Sequence, residues 1–73
     1  NEHDGRCKEL LRVVRKWRDK HGDEWMPFWK INRALPWSDR DHEEVRTTLL
    51  NQVMIEYTER KTGGTPQRLY RIL

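Results

Sequence analysis

Apolar residues recur at helical spacing from Cys7 onward: Cys7, Leu10, Leu11, Val14 and Trp17 stand at i, i+3, i+4, i+7 and i+10. A stripe of that period predicts an amphipathic helix over residues 6–21, with Gly22 as its stop signal. Residues 1–5, Asn-Glu-His-Asp-Gly, carry no apolar position and read as a flexible tail or linker remnant. Asp23-Glu24-Trp25-Met26 follows as a connector or a minimal first strand. Pro27 suits the first turn of a second helix, where its missing N–H is not needed. Phe28, Ile31 and Leu35 set that helix's buried side over residues 27–35, and Pro36 ends it, leaving Trp37 in the turn. Ser38 is an N-cap with Asp41 three residues on, and Asp39 and Glu43 suit the positive helix start. Val45, Leu49 and Val53, at i, i+4 and i+8, give the third helix (residues 39–52) its buried stripe, with His42 at the edge.

Beyond Val53 the period changes. Met54-Ile55-Glu56-Tyr57-Thr58-Glu59 and Gln67-Arg68-Leu69-Tyr70-Arg71-Ile72-Leu73 are short runs rich in Ile, Tyr, Thr and Leu. The turn segment Thr62-Gly63-Gly64-Thr65-Pro66 separates them, so the pair reads as a β-hairpin. The fold class is therefore α+β: three helices and a carboxy-terminal hairpin. Leu11, Val14, Ile31, Val45, Leu49, Ile55 and Tyr70 are expected in one core. Trp17 and Trp25 are read as core, whereas Trp29 and Trp37 are left open between packing and surface.

Seventy-three residues suffice for one small core, and residues 6–73 are taken as a single domain. Four Trp, two Tyr and one Phe concentrate apolar area in few side chains, which favours folding despite 37% charged residues. The net charge of +3 is unevenly spread. Residues 1–22 hold seven Lys/Arg against four acids and residues 53–73 four against two, but residues 37–52 hold two against four. Basic ends around an acidic middle suggest an anionic partner touched by the ends. Lys8, Arg12, Lys16 and Lys20 stand in an i,i+4 row, either a phosphate-facing ridge or a plain solvated surface.

No apolar stretch reaches the ~20 residues that span a membrane, and no signal peptide is visible. The lone Cys7 excludes an internal disulfide and suits a reducing, cytoplasmic setting. Because the chain begins at Asn1, it is expected to be one domain of a larger parent protein, whose other domains would be partners. His3, His21, His42 and Cys7 lack metal-ligand spacing, and Gly63-Gly64 lies between two strands rather than before a helix. No cofactor, metal or catalytic residue is expected, and Asp41, Glu43 and Glu44 read as a solvated helix start.

The chain resembles the winged helix-turn-helix superfamily over nearly its whole length. The resemblance is carried by Val45-Arg46-Thr47-Thr48-Leu49-Leu50-Asn51-Gln52-Val53-Met54-Ile55, then Glu56 and a hairpin closing in Tyr70-Arg71-Ile72. Thr62 to Pro66 followed by Leu69-Tyr70-Arg71-Ile72 is also similar to the carboxy-terminal end of plasmid- and phage-type replicative helicase or primase proteins. In this superfamily the position after the third helix is often Gly; here it is Val53, which argues against a left-handed helix end. The resemblance implies a DNA-binding module of a replication or transcription-regulating protein, with the third helix as reader and the hairpin as wing.

With Val45 and Leu49 inward, Arg40, Glu44, Thr47 and Asn51 face outward. Arg forks onto guanine and Asn onto adenine, while Thr meets a thymine methyl or a phosphate. Arg60, Lys61 and Arg68 would meet backbone phosphates, and Thr65 and Gln67 a minor-groove edge. Four acids at the start of the third helix repel phosphate, so binding to double-stranded DNA is expected to be led by the wing. Two alternatives remain. One is a protein-interaction module using Trp29, Trp37 and the acidic start of the third helix; the other is aromatic stacking of single-stranded nucleic acid.

Overall fold

The computed structural model describes residues 1–61 and 63–73; Thr62, the first residue of the expected turn, lies outside them. The elements run α1 (Glu2–His21), β1 (Met26–Pro27), α2 (Phe28–Ala34), α3 (Asp39–Asn51), β2 (Ile55–Arg60) and β3 (Gln67–Ile72). Residues 1–5 are not a tail. Asn1 caps α1, its side chain accepting the Asp4 N–H at 2.9 Å, and Glu2 and Asp4 place negative charge in the first turn. Polar residues that satisfy a helix end extend it one turn beyond the apolar stripe.

Gly22 closes α1 at φ 65, and its N–H bonds the Arg18 carbonyl at 2.7 Å. Pro27 ends β1 and caps α2 in extended conformation, one position before the first helical residue. Ser38 caps α3 as expected, accepting the Asp41 N–H at 3.1 Å.

The end of α3 overturns two expectations. Val53 takes φ 56, the left-handed conformation its β-branched side chain disfavours. Its N–H bonds the Leu50 carbonyl and that of Met54 bonds the Leu49 carbonyl, both at 3.0 Å. These two bonds make a Schellman closure, in which a residue with φ > 0 is required whether or not it is Gly. Val53 consequently leaves the buried stripe and is 71% exposed.

The sheet is three-stranded and antiparallel in the order β1-β3-β2. β3 is central: Tyr70 pairs with Met26 on one side and Tyr57 on the other. All seven expected core residues are buried together, joined by Cys7, Leu10, Met26, Leu35 and Ile72. Trp17, half-buried, packs against this core. Trp25 corrects its assignment: it is half-buried and carries the Arg71 guanidinium 4.1 Å from its ring.

His42, expected at the edge of the stripe, is fully buried. Its Nε2 donates to the Leu35 carbonyl at 2.8 Å, and its ring meets Phe28 and Trp37, each at 4.9 Å between centroids. The imidazole thus locks the 35–38 turn between α2 and α3. Burial pushes its pKa below the ordinary histidine value, against smaller opposing effects of the Leu35 bond and Asp39.

Candidate nucleic-acid interface

Arg40, Thr47 and Asn51 are all exposed, as the helical wheel for α3 requires. Their surroundings are acidic. Arg40 is tied to Glu44 at 3.3 Å, so its charge is partly cancelled. The first turn of α1 lies alongside, where His3 Nε2 meets the Thr48 hydroxyl at 2.8 Å. His3 lines a shallow notch there with Glu43, Glu44 and Thr47. Asp41 pairs with Arg6 at 3.8 Å, a partner on α1 that a wheel drawn for α3 alone does not contain.

The hairpin's four cations divide into two classes. Arg71 donates from Nε to Glu56 at 2.6 Å and stacks on Trp25, fixing β3 to β2 and to the connector. Arg68 is half-buried with its guanidinium 4.9 Å from the Phe28 ring, and it stands opposite Glu59 across the hairpin. Arg60 and Lys61 are exposed and make no ion pair among the described residues. They adjoin a tip containing Gly63 at φ 48 and the exposed Thr65. Gln67 is half-buried and, with Thr65 and Arg68, lines a notch against Phe28 and Trp29. The structure therefore groups Arg60, Lys61, Thr65, Gln67 and Arg68 on the hairpin, apart from the α3 set.

Arg46 was not singled out from the sequence. It leaves the outward face of α3, donates to the Tyr70 hydroxyl at 3.1 Å and lies 4.6 Å from the Tyr57 ring. Burial holds the Tyr70 hydroxyl protonated beyond the ordinary tyrosine range, with Arg46 opposing. This cation fastens α3 to the hairpin.

A second basic region lies between α1 and α2. Arg12, Lys16 and Lys20, three members of the i,i+4 row, rim a cleft together with Lys30. The row's direction was legible as a spacing; Lys30 joins it only through tertiary packing.

Of the two Trp expected to anchor a protein partner, Trp29 is 56% exposed. Trp37 is half-buried against the core and His42, which removes most of its surface from an anchoring role. Among the described residues no cluster of His, Cys, Asp or Glu has metal-site geometry, and no helix is long and apolar enough to cross a membrane. Comparison with protein-family models, curated proteins and solved structures finds no match to this chain.

Proposed function

We propose that this chain is a winged helix-turn-helix module that holds double-stranded DNA mainly by its phosphates, within a larger replication or regulatory protein. In this reading α2 and α3 form the helix-turn-helix and the β2–β3 hairpin is the wing. The element order, the β1-β3-β2 sheet and the 35–38 turn locked by His42 support it. The observation that carries it is the contrast between the two candidate surfaces. Arg60 and Lys61 stand exposed at the end of β2, whereas α3 offers Arg40 already engaged by Glu44.

Lysines and arginines that neutralise phosphates release counterions, so affinity tracks salt steeply. Anisotropy of a labelled random duplex, titrated between about 50 and 200 mM salt, tests this with an expected log–log slope of ~0.9 per phosphate contact. A salt-independent constant contradicts it.

A protein-interaction module is the second reading. Leu50, Val53 and Leu73 favour it, since these exposed apolar residues gather where the Leu73 N–H bonds the Met54 carbonyl at 3.2 Å. Absence of duplex binding at low salt would turn the balance towards it.

A further inference from the structure

The cleft between α1 and α2 has a volume of ≈ 360 Å³. Its floor is apolar, made by Val13, Trp17 and Met26, and its rim is Arg12, Lys16, Lys20 and Lys30. Glu9 holds Arg12 at 2.7 Å, but Lys16, Lys20 and Lys30 have no carboxylate partner among the described residues. Lys30 joins this cleft to the neighbouring notch: its Nζ lies 4.8 Å from the Trp17 ring centroid and 5.4 Å from that of Trp29. Trp29 then lines the ≈ 210 Å³ notch beside Phe28, which carries Arg68. Cations and rings share this path: Arg68 over Phe28, then Trp29, Lys30 between Trp29 and Trp17, and Lys16 and Lys20 beyond.

We infer that this track binds a single strand of nucleic acid. A single strand presents what this track offers a partner for, an accessible planar base face for Trp29 and adjoining phosphates for the lysines. Duplex DNA hides its base faces in the stack and is too broad to enter a cleft between two packed helices. An acidic polypeptide offers the charge without the planar base face for Trp29. Trp17 is closed on one face by His21, 3.8 Å away, so Trp29 is the stacking platform and Trp17 holds Lys30 in position. Lys16, Lys20 and Lys30 take the phosphates. The site borders the hairpin at Arg68, but its stacking platform Trp29 and its phosphate-binding lysines Lys16, Lys20 and Lys30 lie outside the hairpin.

The test follows the anisotropy of a labelled oligothymidylate of about eight nucleotides, within the range of single-strand site sizes, titrated with the whole chain. Binding is expected, weakened roughly tenfold in Trp29→Ala and nearly restored in Trp29→Phe, which keeps a stacking face. A Lys16→Gln/Lys20→Gln variant loses roughly tenfold, while Arg60→Gln/Lys61→Gln, with the same change in net charge, loses at most about twofold. Three results overturn the proposal: Trp29→Ala binding like the parent, both Gln pairs weakening binding equally, or polyglutamate displacing the oligonucleotide at equal charge. Failure here and failure of the hairpin reading are distinguishable. A chain binding oligothymidylate but no duplex keeps this site and loses the hairpin contact, and the reverse result does the opposite.

Discussion

Arg46 Nη1 on α3 donates to the hydroxyl of Tyr70 on β3 at 3.1 Å, and this bond sets how the helix meets the hairpin. Tyr70 is fully buried and its ring packs edge-on against Tyr57, whose face carries the Arg46 guanidinium. One cation thus satisfies a buried hydroxyl and bridges two strands of the sheet.

Arg46→Met should lower unfolding free energy by about 1–3 kcal/mol, because it leaves the Tyr70 hydroxyl buried without its partner. Tyr70→Phe should cost less, about 0.5–1.5 kcal/mol, since half-buried Arg46 regains water. Urea unfolding of both variants checks the order. A Tyr70→Phe loss larger than that of Arg46→Met would mean that the bond is not the main link.

His42 makes stability depend on pH. Its folded pKa lies below the unfolded value, so the folded state disfavours the proton. The stability associated with neutral His42 is present above the ordinary histidine pKa and is lost as pH falls below it. The urea midpoint should therefore drop between about pH 7 and pH 5, and drop less in His42→Phe. Equal pH profiles for the two proteins would exclude His42 as the source.

Val53→Gly should stabilise the protein by about 1 kcal/mol, the gain from removing a β-branched residue from left-handed φ offset by glycine's greater unfolded freedom. The side chain is 71% exposed, so little packing is lost. Thermal unfolding measures this directly, and a lower midpoint in Val53→Gly would show that the Val side chain stabilises the junction.

Leu49→Ala probes the same closure from its buried side. Leu49 has no exposed surface and its carbonyl receives the Met54 N–H. Truncation should cost about 2–5 kcal/mol, enough to threaten a domain of this size. A variant as stable as the parent would contradict the packing of α3.

What was legible in the sequence follows from which interactions are local. Ser38 and the Val45–Leu49 spacing fix the start and face of α3 because caps and stripes act within one helix. The closure at Val53 was missed because the rule looks for Gly, whereas the two carbonyl bonds impose the geometry on whatever residue stands there. The first turn of α1 was missed because a polar cap leaves no hydrophobic period. The burial of His42 comes from Leu35, Phe28 and Trp37 on neighbouring elements, and no single-helix wheel contains them. Among the candidate site residues, exposure of Arg40, Thr47 and Asn51 was readable from periodicity. Engagement of Arg68 by Phe28 and of Arg71 by Glu56 and Trp25 was not, because strand cations find partners on elements distant in sequence: α2, β2 and the connector before β1.

The central claim, a duplex held by the hairpin rather than read by α3, is tested most directly by comparing Arg60→Ala, Lys61→Ala and Asn51→Ala. Anisotropy is measured with random and selected duplexes across a salt series. Arg60→Ala and Lys61→Ala should each weaken all duplexes about equally and lower the salt slope by roughly one. Asn51→Ala should leave random duplexes unchanged and cost ~1–3 kcal/mol at one base pair only where a preferred sequence exists. Loss of all binding in Asn51→Ala, with both hairpin variants behaving like the parent, would contradict the account and make α3 the reader.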